Sequence, residues 1–235
     1  MKINNTNISI FGARQHRVEY GHQGVKFSNE WTPGAVLPYM GTCNVDFKQL
    51  TVTLVLKGAT RTQILNNRSA LLAILTEPVI IELDNNPHYF YGVLRSHKET
   101  EVVKQRWHTM ELSFDCYEYG ATVTASGNTS FTITNPGNVT SPCVVTITPG
   151  ISASKITLTG ICVDPLKGTD LPVEIPDVET GKTIIIDGET GLILQNGSLK
   201  EMYIWALPAL KPGVTTITCD NRLMTVSVSV KPLYF

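Results

Sequence analysis

The sequence predicts a mainly β chain of two domains with a single packed helix. Three observations carry that reading. Apolar residues recur with period two in several stretches of the first half, while the segment after Thr60 carries them at helical spacing. From about residue 139 onward, short β-prone runs alternate with turns rich in Gly, Pro and Asn. At 235 residues, the chain suits one large β domain or two of about 100 to 120 residues each. The expected division is a β-sandwich-like domain over residues 1–130, with helix 61–76 and a projecting hairpin, and a β-sandwich over residues 136–235.

Taken in order, Ile8 and Ile10 suggest an early strand, Cys43, Val45 and Phe47 a second, and Val52, Leu54 and Leu56 a third. Between the first two lies a loop-like stretch with His16, Gly21, His22, Gly24, Trp31-Thr32-Pro33-Gly34 and Pro38, of the kind that serves function or docking. Thr60 and Gln63 have capping-box spacing, so each side chain can satisfy a backbone N–H left over at a helix start. Ile64, Leu65, Leu71, Leu72 and Leu75 then form one apolar stripe, with Asn66, Asn67 and Ser69 facing away. Glu77-Pro78 ends the helix, because proline cannot donate into it and disfavours helical geometry just before it. Val79 to Asp84, the turn Asn85-Asn86-Pro87-His88, and Tyr89 to Leu94 read as strand, turn, strand.

Ser96 to His108 is strongly polar and bracketed by apolar strands, which predicts a projecting hairpin or loop. Trp107, Met110, Leu112, Phe114 and Cys116 lead out of it. Around 118–135 the residues become small and polar, and Asn135-Pro136-Gly137-Asn138 is dense turn chemistry. Strands are then expected at 144–148, 156–159, 173–175, 183–187, 192–195, 215–219 and 224–230. The alternation of Thr225, Ser227 and Ser229 with Val226, Val228 and Val230 gives the last strand one wet face.

Composition excludes several functions. Net charge is −1 with no clustered Lys/Arg excess, which argues against nucleic-acid binding. No apolar run approaches the ~20 residues of a membrane-spanning helix. The first residues, Met1 to Asn7, lack a signal-peptide apolar region, so the chain is expected to be made in a cytoplasm and to leave it only within a particle. Five cysteines, with no Cys-x-x-Cys pair, read as buried free thiols. The histidines, His16, His22, His88, His97 and His108, lack metal-ligand spacing and read as loop and surface residues. The acidic stretch Asp164, Asp170, Glu174, Asp177 and Glu179 reads as a solvated turn surface rather than a general acid–base pair. Asp187 to Gly191 lacks the alternating acids of a calcium loop and reads as a hairpin turn. Neither a nucleophile motif nor a phosphate-cradling glycine loop is present, so no enzyme, cofactor or metal is expected.

Several segments together resemble siphophage distal tail (Dit) proteins. They are Ile184 to Gly191, then Asn196-Gly197, then Leu207-Pro208-Ala209-Leu210-Lys211-Pro212-Gly213. The order of elements in the first half, the strand ending Phe114-Asp115-Cys116-Tyr117, and Asn135 to Asn138 with Pro142 are similar as well. Val214-Thr215-Thr216 departs from that family, which tends to have an Asn entering this strand. The resemblance implies a galectin-like C-terminal sandwich and an N-terminal domain that forms a homohexameric ring. It further implies partners in the tail tube and the tail hub, with receptor-binding or baseplate proteins docking on the periphery, and a place at the distal end of a virion tail.

In such a ring, each copy must offer a surface that fits its neighbour. Arg68, on the helix's apolar stripe, needs a partner either within the domain or across subunits. Lys98, Glu99, Glu101, Lys104 and Arg106 on the charged projection are the other interface candidates, and deleting Lys98 to Gln105 is expected to leave a folded monomer. The alternative function is carbohydrate binding, with a sugar stacked on Tyr203 or Trp205. Trp205, however, sits in the apolar run Tyr203 to Leu207 and reads as a core residue.

Overall fold

The computed structural model describes residues 1–21, 25–30, 39–103, 106–164 and 168–235, and their side chains except at 25–30, 39–45 and 103. It is mainly β and divides into two units, Met1–Glu118 with Phe235, and Tyr119–Tyr234.

The first unit contains β1 (Lys2–Ile3), β2 (Thr6–Asn7), β3 (Ala13–Gly21), β4 (Val25–Glu30), β5 (Tyr39–Val45), β6 (Lys48–Lys57), α1 (Arg61–Ala73), β7 (Val79–Glu82), β8 (Tyr89–Val103) and β9 (Trp107–Tyr119). One sheet runs in the order β2-β1-β7-β8-β9-β6-β3, and β4 pairs with β5 in a separate hairpin. The early segment differs from expectation. Ile8–Phe11 is a 3-10 turn capped by Asn7, and Ile10 is exposed rather than paired. Part of the stretch expected to be irregular is strand, at β3 and β4, because Gln15 to Gly21 finds a full-length antiparallel partner in β6. His22, Gly24, Trp31 to Gly34, Pro38 and Lys104 lie outside the described residues.

Capping fixes where α1 starts. The Thr60 hydroxyl accepts the Gln63 N–H at 3.2 Å, and Gln63 Oε1 accepts the Ala59 N–H at 2.9 Å, so the return bond lands one residue before the cap. Ile64, Leu71 and Leu75 are buried, while Leu65 and Leu72 are half-buried. They meet Leu50, Leu54, Leu56, Phe90, Met110 and Phe114, which β6, β8 and β9 present to the same core through their period-two alternation. Glu82↔Tyr89 and Val79↔Gly92 close the β7–β8 hairpin, with Asn85 in the left-handed region at φ 63°. Gly92 has to be glycine. A Cβ there would lie 2.3 Å from the Asp115 carbonyl oxygen and 2.4 Å from Cys116 Cβ.

The second unit opens with β10 (Val123–Gly127) and β11 (Ser130–Asn135), strands that small polar residues had concealed. There follow β12 (Ser141–Pro149), β13 (Ala153–Thr159), β14 (Val173–Val178), β15 (Ile184–Asp187), β16 (Ile193–Gln195), β17 (Ser198–Leu199), β18 (Ala209–Leu210), β19 (Gly213–Cys219) and β20 (Met224–Val230). One sheet runs β10-β20-β12-β15-β16-β17, and a second runs β11-β19-β13-β14. Val145, Ile147, Ile186, Val226 and Val228 of the first sheet share a core with Ile156, Leu158, Ile175 and Ile217 of the second. Two sheets with facing apolar sides make this unit a β-sandwich. Buried Asn135 staples its chain entry. Its Nδ2 donates to the Leu210 carbonyl at 2.9 Å and to Ser141 Oγ at 3.2 Å, and its Oδ1 accepts the Gly137 N–H at 3.0 Å.

Candidate functional site

The charged projection is not a loop. β8 and β9 carry the sheet's pairing outward through Val103 and back from Trp107, so the polar run is the far end of a hairpin whose near end is core. Three of the residues singled out in the sequence, Arg68, Glu99 and Glu101, meet with Arg61 where α1 lies against the outer part of this hairpin. Arg68 Nη1 donates to Glu99 Oε2 at 2.6 Å, and Arg61 pairs with Glu101 at 2.8 Å. Arg68 therefore finds its partner within the domain. The fifth member of the cluster is His108, whose Nδ1 lies 2.6 Å from Glu99 Oε1 and whose Nε2 lies 3.6 Å from Glu101 Oε1.

His108 corrects the reading of the histidines as surface groups, since it is 1% exposed. The missed signal was parity: His108 occupies the inward register of Met110, Leu112 and Phe114 on β9. Burial pushes the Glu99 carboxyl up, but hydrogen bonds to His108 and Arg68 and their charges outweigh it and hold the group below its ordinary value. Lys98, Glu101 and Arg106 are exposed.

The second cluster is aromatic. Residues 202–207 run extended along the sandwich, with Met202, Ile204 and Ala206 packed toward its core and Tyr203, Trp205 and Leu207 facing out. Trp205 is 78% exposed and Tyr203 74%, which overturns the expectation that Trp205 is core. The reason is alternation: when both faces of an extended segment are apolar, composition cannot say which face the fold covers. The two rings stand edge to face, 5.2 Å apart at an interplanar angle of 84°. Below them, Cys162 Sγ donates to the Ala206 carbonyl at 3.1 Å and fastens the segment to the sandwich.

Little else among the described residues is poised for chemistry. Among the described residues, no cluster of three His, Cys, Asp or Glu is placed to hold a metal ion. Cys116, Cys143, Cys162 and Cys219 are free and buried, and burial pushes the first two thiols up to about 12 and Cys162 to about 11. Burial raises the Asp187 carboxyl too, but Thr190 and the Glu189 N–H, with the charge of Lys231, hold it below its ordinary value. Its oxygens are occupied by its own hairpin turn.

No protein-family model matches the chain, and no curated protein does. Solved structures do. The structure of the SPP1 Dit (gp 19.1) protein, described as a paradigm of the hub adsorption apparatus in Gram-positive infecting phages, superposes with a TM-score of 0.78. Identity is 16%, over 98% of this chain and 97% of that one. The phage p2 baseplate in its activated conformation with Sr matches at a TM-score of 0.50 and 10% identity, over 96% of this chain and 92% of that one. The chain thus has the Dit fold along essentially its whole length.

Proposed function

We propose that the chain is a structural protein of a phage tail tip. In this reading, six copies close a ring through their first units, and the ring joins the tail tube to the hub or baseplate. The second unit is a peripheral docking domain. The observation that carries the proposal is the end-to-end match to a Dit structure, at 98% and 97% coverage of the two chains. The chemistry described above is consistent with it. Arg61, Arg68, Glu99 and Glu101 are engaged in ion pairs that tie elements together, and burial keeps the Cys116 and Cys143 thiols protonated. This reading assigns no catalysis.

Arg68 and Glu99 are engaged within the chain. Glu101 is likewise paired with Arg61, so the surface offered to a neighbouring copy is the exposed outer part of the hairpin, with Lys98 and Arg106. Deleting Lys98 to Gln105 would also remove Glu99, so charge reversal is the cleaner perturbation. The test is the native mass of the purified chain, alone and mixed with tail-tube and hub proteins of a siphophage. The expected species is six times the 25.8 kDa chain, reduced to smaller species by K98E/R106E with unchanged circular dichroism. A protein that stays monomeric in both settings overturns the ring. An unchanged oligomer in the double variant overturns the hairpin's part in it.

A further inference from the structure

The exposed aromatic pair borders a cavity of about 500 Å³ within the second unit. It is lined by Glu174 and Pro176 of the edge strand β14, by Pro172 just before that strand, and by Lys155, Cys162, Tyr203 and Trp205. We infer that this cavity is a binding site for a neutral saccharide of one or two pyranose rings, stacked on Trp205 with Tyr203 at its edge.

Four features of the cavity converge on that ligand. Two large, mostly exposed rings contact each other edge to face, which leaves at least one face of each uncovered by the other. The C–H face of a pyranose is an apolar plate of matching size, and perpendicular rings give it one face and one edge. Polar groups are few and placed at one wall. Lys155 Nζ donates to Glu174 Oε1 at 2.9 Å, and each side chain is about half exposed, so donors and acceptor oxygens remain for ring hydroxyls.

That pair also cancels its own charge, which disfavours anionic and cationic ligands alike. Finally, the volume lies in the range of small-molecule pockets. Pro176 in β14, with Pro172 just before it, removes backbone donors from this edge strand, which weighs against an added peptide strand.

The inference stands apart from the ring, since it uses residues of the second unit alone. The test uses the full chain. A glycan array of neutral and anionic glycans is followed by calorimetric titration with the best neutral mono- or disaccharide. The expected result is saturable binding of a neutral glycan, weakened at least about fivefold by W205A and by Y203A. E174Q should weaken it as well, at unchanged melting temperature in all three variants. Because both aromatics are exposed, loss of fold does not confound the substitutions. The inference is overturned by the absence of saturable binding to any neutral glycan, or by binding that survives W205A. It is equally overturned if proline-rich peptides, and no sugar, bind at these residues.

Discussion

Removing the Glu99 carboxylate is the most informative single perturbation of the first unit. It strands two donors, Arg68 Nη1 and His108 Nδ1. The Arg68 side chain is 33% exposed and regains water, so its loss contributes little. His108 is 1% exposed and cannot. A buried donor without an acceptor costs about 1–3 kcal/mol, which makes Glu99→Ala worth ~2 kcal/mol against the first unit. At roughly 3–6 °C per kcal/mol for a unit of this size, the melting temperature falls by about 6–12 °C. Glu99→Gln keeps an oxygen for His108 and costs roughly 1 kcal/mol or less.

Thermal and urea unfolding followed by Trp107 emission in a W31F/W205F background reads this, since Trp107 neighbours His108 and holds the Lys57 ammonium 4.0 Å from its ring centroid. The pH dependence has a fixed sign. The folded-state pKa of Glu99 is depressed, so its contribution is fully present above the ordinary glutamate range and is lost as pH falls through the folded value. The wild-type advantage over Glu99→Gln is therefore flat at neutral pH and shrinks on acidification. A change below about 0.5 kcal/mol for Glu99→Ala, or equal damage from both variants, refutes the reasoning.

Two further outcomes are expected. A thiol at about 12 is ionised to roughly one part in ten thousand at pH 8, so Cys116 and Cys143 resist iodoacetamide in the native protein and react in urea, as site-resolved mass spectrometry would read. Asn135→Ala leaves the Leu210 carbonyl and the Gly137 N–H unpaired in a buried site, which costs about 2 kcal/mol. It is measured as a lower urea midpoint at unchanged slope.

What could be read from the sequence was whatever a short-range rule determines. The Thr60–Gln63 cap and the Asn85 turn each depend on a few neighbouring residues, and the structure places both where those residues put them, whereas α1 ends at Ala73, three residues short of the expected 76 and ahead of Pro78. Long-range pairing was harder to read. Ala13 to Gly21 looks irregular until β6 is beside it, and β10 and β11 are small and polar because they lie at sheet edges. In the candidate sites, Arg68 announced its need for a partner, but Glu99 and His108 meet it only through the hairpin's register. Trp205 was misread because its apolar neighbours on both sides hid which face the sandwich would cover.

The continuity of β8 and β9 bears on how this chain meets another molecule. Fifteen residues of β8, some 45–50 Å of strand, lie beside a β9 that β6 pairs from Trp107 to Cys116, and Arg68 of α1 clamps them further at Glu99. A beam clamped in this way has lost its disorder before any encounter, so an incoming surface does not bear the ordering entropy that a floppy arm would impose.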